Sequence, residues 1–121
     1  MATPDIIDVA TINGVLIAGA VTTSAVDVID VTAEHTFKLN SVIISNVDGV
    51  NDATISASVS VDNGSNYYHV AKTVTVPADS SVSLITKDTS IYLDETDLFR
   101  LQGSANNMLE YVISYETLND A

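Results

Sequence analysis

The sequence contains no cysteine and no tryptophan among its 121 residues. Because it lacks cysteine, the chain can form no disulfide, no thiolate metal site and no cysteine nucleophile. Aromatic residues make up only 6% of the chain, and the absence of tryptophan weakens the case for carbohydrate binding. These absences leave packing and polar contacts, and not thiol chemistry, as the basis of function.

Positive charge is also scarce. Four Lys and Arg residues stand against 16 Asp and Glu, which gives a formal net charge of −12. A surface this negative repels phosphate, so we expect no nucleic-acid partner. No basic residue precedes Lys38, so we expect no secretory signal and synthesis in a cytoplasm. No apolar run approaches the ~18 residues of a membrane helix, so we expect no membrane partner.

Motifs for catalysis are missing as well. His35 and His69 are the two histidines, and neither belongs to a recognisable arrangement of nucleophile and base. The chain has no Gly-x-Ser-x-Gly elbow, no Gly-rich phosphate loop and no Cys/His metal spacing. We predict that the protein is not an enzyme, has no catalytic residue and needs no cofactor.

Three carboxylates, Asp94, Glu95 and Asp97, cluster in one turn. Calcium prefers several such oxygens, but the Asp-x-Asp-x-Asp-Gly loop pattern is absent here and at residues 48–52. We predict no dedicated metal site. A solvated acidic turn and weak binding of a divalent cation are both compatible with the sequence.

Apolar residues alternate with Thr and Ser from residue 54 to 61, and the alternation returns from residue 109 to 115. The apolar positions are Ile55, Ala57, Val59, Val61, Leu109, Tyr111, Ile113 and Tyr115. A period of two predicts strands with one dry and one wet face. Nine strands are predicted, at residues 11–19, 24–31, 36–46, 53–62, 67–76, 81–87, 90–93, 97–104 and 109–116.

The turns and irregularities between these strands point to one fold class. Residues 62–66 contain Asn63-Gly64 and predict a hairpin turn, because Asn and Gly tolerate positive φ. The apolar face changes sides at Val28-Ile29, which predicts a β-bulge. Many short strands joined by turns predict an all-β antiparallel β-sandwich. A jelly roll and an immunoglobulin-like topology both fit, and residues 11–121 form a single sandwich domain in this prediction.

Residues 1–10 are interpreted as an N-terminal arm outside the sandwich. Ile6, Ile7 and Val9 make this arm apolar, and an exposed apolar segment is a liability for a free domain. We therefore name these three residues as interaction candidates that dock on a neighbouring subunit, for example by adding a strand to a sheet edge. The alternative is that the arm is the first strand of its own sandwich.

Three further residues are candidates for contacts with partners. Lys72 falls on the apolar face of its strand, where an inward-pointing Lys protects an edge strand or meets a subunit; alternatively it reaches back to the surface. Tyr67 and Tyr68 follow the Asn-Gly turn, in a composition typical of binding loops. Packing of both tyrosines within the strand is the simpler interpretation.

Four segments carry a resemblance to a known group of proteins: residues 45–49, 69–78, 86–93 and 112–116. Together they resemble small all-β virion structural proteins of tailed bacteriophages that infect marine bacteria and cyanobacteria. The resemblance covers about residues 40–116. Its motifs are structural, so it carries over no active site.

The resemblance implies a non-enzymatic structural protein located in the virion. The expected role is capsid decoration or cement that stabilises the capsid, with the major capsid protein or other virion proteins as partners. The alternatives are a tail or neck component, or a receptor- or glycan-binding module. We also expect a homo-oligomer, such as a trimer, because a small domain buries only part of its surface alone.

Overall fold

The structure is a computed structural model that describes residues 9–120, and the side chains of residues 12–118. This part of the chain contains nine strands and one short 3-10 helix, Lys87–Thr89. The strands are β1 Val9–Val21, β2 Val26–Asp30, β3 His35–Asn46, β4 Ala53–Ser60, β5 Tyr68–Val76, β6 Ser81–Ile85, β7 Ile91–Leu93, β8 Leu98–Gly103 and β9 Leu109–Asp120. Each predicted strand is confirmed, with ends that differ by a few residues.

The strands form two antiparallel sheets. The five-stranded sheet has the order β1-β9-β3-β6, with β7 also paired to β3, and the four-stranded sheet has the order β2-β8-β4-β5. Apolar residues from both sheets meet in one buried cluster, in which Phe99 is the largest fully buried side chain. The predicted all-β antiparallel sandwich is therefore confirmed.

The pairings between strands are nested like those of one long hairpin. β4 pairs with β5, β3 with β6 and β7, β2 with β8, and β1 with β9. Rolling such a hairpin so that its arms also pair with each other, β9 with β3 and β8 with β4, gives a jelly roll. Of the two topologies that fit the sequence, the nested pairing therefore selects the jelly roll over the immunoglobulin-like topology.

The predicted hairpin turn lies at the centre of this nested arrangement, between β4 and β5. Asn63 has φ 56° and Gly64 has φ 92°, so the positive φ values that the turn needs fall on the two residues best able to adopt them. The predicted bulge is confirmed too, because the pairing of β2 with β8 shifts register between Asp27 and Ile29.

Two serines that were predicted to lie on the wet face of β4 are buried. Ser58 is 6% exposed and Ser60 is 0% exposed, although Ile55 and Ala57 fill the core side as expected. The hairpin turn folds back over the outer face of the sheet, and Gly64 N donates a 2.8 Å hydrogen bond to Ser60 Oγ. Val61 lies beyond the end of β4 and is exposed rather than packed.

The N-terminal arm can be followed only in part. Ile6 and Ile7 lie outside the described residues. Val9 is the first residue of β1, where its backbone is opposite Asp120 of β9. Within the described residues, no helix is long and apolar enough to cross a membrane.

Candidate functional site

The surfaces most relevant to function are the edges of the two sheets. An edge strand presents unpaired backbone N–H and C=O groups, to which a strand of another chain can pair. Within residues 9–120, β1 and the β6–β7 side bound the five-stranded sheet, and β2 and β5 bound the other.

Three of these edges carry features that discourage pairing. β2 has only five residues, including Asp27 and Asp30, and is bulged. β5 carries Lys72 and has two register shifts against β4. β6 and β7 have five and three residues. Short length, charge and bulges all protect an edge from other chains.

The fourth edge, β1, lacks these features along most of its length. It has 13 residues and pairs with β9 without interruption from Thr11 to Val21. The sequence has no charged residue between Asp8 and Asp27. Ile12 and Leu16 are 56% and 68% exposed, respectively. β1 is therefore long, regular, uncharged and apolar, as in strands that pair with other chains.

The outer face of the five-stranded sheet extends this apolar character inward from β1. Ala18, Val112 and Ile43 are lateral neighbours on β1, β9 and β3. Val112 is 37% exposed, and Ile43 is partly exposed. A partner that packs on β1 would thus also meet apolar side chains on the sheet beside it.

On the outer face of the four-stranded sheet, Tyr67 belongs to a cluster with Asp27 and Arg100. Tyr67 Oη donates a 2.9 Å hydrogen bond to Asp27 Oδ1, and Arg100 Nε lies 3.1 Å from the same oxygen. The Arg100 guanidinium lies 3.6 Å from the centre of the Tyr67 ring. Desolvation, followed by the hydrogen bond to Asp27, raises the pKa of Tyr67. This tyrosine ties the hairpin turn to the sheet.

Tyr68, the other tyrosine candidate, lies at the start of β5. Its side chain is 62% exposed, and it pairs in the ladder with Val59. The structure therefore separates the two tyrosines: Tyr67 packs within the molecule, and Tyr68 is available to a partner.

The side chain of Lys72 is exposed, which agrees with the interpretation that it reaches the surface and not with an inward-pointing Lys. The pairing of β5 with β4 shifts once between Ala71 and His69 and again between Val74 and Ala71. Between the two shifts the alternation is inverted, so Ala71 packs against the core and Lys72 is exposed. Lys72 lies on an edge strand as predicted, but its side chain lines a groove on the outer face.

The two histidines lie in separate surroundings. Nδ1 of His35 is 2.9 Å from Ala33 O and 3.0 Å from Thr32 Oγ1, and its ring meets the Phe37 ring edge-on. His35 thus holds the turn before β3. His69 is exposed on β5 and lines the same groove as Lys72.

The acidic turn uses its carboxylates to hold the loop backbone. Asp97 Oδ2 accepts a 2.8 Å hydrogen bond from Asp94 N, and Glu95 Oε2 accepts one of 2.8 Å from Glu34 N. Asp97 is 7% exposed, so this part of the turn is buried and not solvated. Burial raises the pKa of Asp97. In the described part of the chain, no group of three His, Cys, Asp or Glu side chains could hold a metal ion.

A carboxylate in residues 48–52, the other segment compared above with the calcium-loop pattern, also organises a loop. Asp48 Oδ1 accepts hydrogen bonds from Asn51 N at 2.9 Å and from Val50 N at 2.8 Å. These backbone donors lower the pKa of Asp48. Asp48 thus uses its Oδ1 to hold the backbone of its own loop.

Two features of the surface could not be identified from the sequence: the position of β1 at the edge of its sheet, and the groove beside Lys72. The uncharged segment that forms β1 is visible in the sequence, but its place at an edge depends on pairing with β9. The groove contains Thr54, Ser56 and Gln102, whose outward positions follow from alternation. Their approach to Lys72 depends on pairings across β4, β5 and β8.

The comparison with solved structures supports the β fold, and none of the comparisons shows a family. No protein-family model matches the chain, and no curated protein matches it. Among solved structures, it is similar to a chain of Bacillus endospore appendages, described as a novel family of disulfide-linked pili. The TM-score is 0.54 at 14% sequence identity, and the match covers 92% of this chain and 88% of that one. At this identity the likeness concerns the β fold.

Proposed function

We propose that the protein is a non-enzymatic structural subunit of a bacteriophage virion, a decoration or cement protein that binds the major capsid protein and stabilises the capsid. The observation that carries the structural role is β1, the one edge of the described sandwich that is long, uncharged and without protection. The partner at β1 is a second copy of the chain. Its β1 strand pairs antiparallel with the first.

Electrostatics favours contact at this edge. Two copies, each with a net charge of −12, repel each other over most of their surfaces. The segment between Asp8 and Asp27 has no charge, so two β1 strands can meet without placing like charges together. Antiparallel pairing of identical strands is self-complementary and gives a closed two-fold dimer. Burial of Leu16 and Ile12 adds an apolar contribution.

The capsid location is supported by the resemblance to phage virion proteins and by the charge. A strongly acidic exterior keeps many copies soluble before assembly and complements a basic rim on a capsid lattice. The similar solved chain belongs to a pilus, which is also an assembly of protein subunits. That family is disulfide-linked, whereas this chain has no cysteine and must join its neighbours without disulfides.

A filamentous location is the second candidate, as in a phage tail or neck. The likeness to a pilus chain favours it. Particle images distinguish the two locations. Capsid decoration predicts density over the whole capsid surface, with copies on the order of hundreds per particle. Density confined to the tail or neck would contradict the capsid role and support the filamentous one.

The dimer contact is tested by placing a charge on β1. Leu16→Lys introduces a protecting charge at a side chain that is 68% exposed, so the fold should tolerate it. Because the change makes the net charge less negative, any loss of assembly cannot come from stronger overall repulsion. Sedimentation over a range of concentrations should show dimers for the wild type and monomers for Leu16→Lys.

The matched control is Val50→Lys, at a loop position that is 84% exposed and away from β1. This variant should associate like the wild type. A wild type that stays monomeric at all concentrations, or a Leu16→Lys variant that still dimerises, would refute pairing through β1. A trimer insensitive to Leu16→Lys would place the subunit contact elsewhere.

A further inference from the structure

The groove beside Lys72 is a second surface with distinctive chemistry. It lies on the outer face of the four-stranded sheet, across β4, β5 and β8, with a volume of about 440 Å³. Its polar lining comprises Thr54, Ser56, His69, Lys72, Thr73, Gln102 and Ser104. Grooves of about this size hold small ligands.

The backbone is distorted at the point that brings Lys72 to this groove. Thr73 has φ 48°, which is strained for a β-branched residue. Its N–H donates a 2.9 Å hydrogen bond to Ser56 Oγ on β4 instead of joining a regular ladder. Without the two shifts of β5, Lys72 would point to the core. Strain at such a position is a feature of binding sites, where bulges redirect side chains.

The groove is rich in donors and contains no acid. Of the 16 Asp and Glu residues in the chain, none lines it. Within residues 12–118, the side chains of Lys72 and His69 have no ion-pair or hydrogen-bond partner. The ammonium of Lys72 is thus available for one anion, in a protein whose surface is otherwise acidic.

The neighbouring groups suit a ligand with hydroxyls. Ser56 and Ser104 accept backbone hydrogen bonds through their oxygens, and each hydroxyl can still donate one. Gln102 donates to Thr23 O through Nε2, which leaves its carbonyl oxygen as an acceptor. No Phe, Tyr or Trp ring lines the groove, so binding there depends on the charge of Lys72 and on hydrogen bonds more than on stacking against a sugar ring.

We propose that this groove binds an acidic sugar of the uronic acid type. The carboxylate lies against Lys72, with His69 beside it, and the sugar hydroxyls contact Thr54, Gln102 and Ser104. The site is independent of assembly through β1, because the two lie on different sheets. It adds recognition of an acidic saccharide to a subunit whose proposed role is structural.

The experiment is a titration of the full chain with glucuronate, followed by nuclear magnetic resonance of its backbone amides. Glucose supplies the same ring without the carboxylate, and acetate supplies the carboxylate without the ring. Glucuronate should shift signals of residues that line the groove and bind at least about tenfold more tightly than either comparison compound, since it uses a charged hydrogen bond and the hydroxyl contacts together.

Variants then assign the carboxylate contact. Lys72→Met should lower glucuronate affinity by about tenfold, whereas Lys87→Met, which removes an exposed Lys on the 3-10 helix, should leave it unchanged. Circular dichroism and the melting temperature confirm that both variants fold. The proposal is overturned by absent or scattered shifts, by equal affinity for glucose or acetate, or by equal effects of the two Lys variants.

Discussion

The ring of Tyr111 on β9 occupies the space that a side chain at Gly19 on β1 would need. The two residues are partners in the ladder, and a β-carbon built on Gly19 would lie 2.9 Å from Tyr111 Oη and 3.0 Å from two ring carbons. Tyr111 packs against the core cluster at this position. The glycine on β1 thus leaves room for the Tyr111 ring to pack against the core cluster.

Replacing Gly19 with valine should destabilise the fold. The added methyl groups force the Tyr111 ring off the core, and overpacking of this kind costs about 1–3 kcal/mol. Urea denaturation followed by tyrosine fluorescence measures the change in the free energy of unfolding. The matched control is Gly14→Val on the same strand, where nothing lies within 4 Å of the added β-carbon. Equal losses in the two variants would contradict the role of Tyr111.

Ser60→Ala should also destabilise the protein, although serine to alanine is a small change. The Ser60 hydroxyl is fully buried, accepts the 2.8 Å hydrogen bond from Gly64 N and donates to Asp62 Oδ1 at 2.9 Å. Its removal leaves the partly buried N–H of Gly64 without this partner, which costs about 1–3 kcal/mol. Ser83→Ala, on an exposed part of β6, should change the free energy of unfolding by less than about 0.5 kcal/mol.

Gly64→Ala should cost about 1 kcal/mol because φ at this position is 92°, where an L-residue is strained. Contacts do not explain the cost, since the nearest side-chain atoms would lie 3.5 Å from the new carbon. Gly49→Ala is the control, because Gly49 has no positive φ and its new carbon would lie 3.4 Å from Asp79 Oδ2. Thermal unfolding that is equally affected in both variants would argue against the strain at Gly64.

Asp97→Asn should stabilise the protein near neutral pH. Burial raises the pKa of Asp97 above its ordinary value of 3.8, so the folded state takes up a proton at higher pH than the unfolded state. The wild type therefore gains stability as pH falls through the folded pKa toward 3.8. Asparagine is uncharged at every pH and can still accept the hydrogen bond from Asp94 N.

The difference in melting temperature between Asp97→Asn and the wild type should accordingly be largest near neutral pH and shrink as pH falls. Asp62 supplies the opposite case, because the Asn66 side chain and backbone hydrogen bonds lower its pKa. Stability from Asp62 is present above 3.8 and is lost as pH falls through the folded pKa. A constant difference for Asp97→Asn across the pH range would show that its charge is not the cause.

The local features of the fold were predictable from the sequence. The strands at residues 54–61 and 109–115 follow from the period-two alternation, and the other strands follow from β-branched segments between turns; both signals depend only on residues close in the chain. The turn at Asn63-Gly64 follows from the backbone freedom of those two residues, and the bulge at Val28 follows from a change of the apolar face within one strand. The absence of disulfides and the strong negative charge follow from composition alone.

Burial of polar groups was less predictable, because it depends on what lies above each strand. Alternation predicts that the side chains of Ser58 and Ser60 point to the outer face of β4, and in the structure they do point to that face. The hairpin turn and Arg100, opposite Ser58 in the ladder, nevertheless cover this part of the outer face. Asp97 is similarly buried by the loop that it caps, which no pattern within residues 94–97 reveals.

The sequence by itself determined where strands and turns form, which side chains are apolar, and that copies of the chain repel one another except along an uncharged segment. Only the tertiary structure decided that this segment is an edge of the sheet formed by residues 9–120, that the strands follow a jelly roll, and that the Lys72 side chain lines a groove with His69 on the outer face. The physical reason is the range of the interactions. Alternation and turn preferences act between neighbours in the chain, whereas strand order and register shifts come from pairing between segments far apart in the sequence.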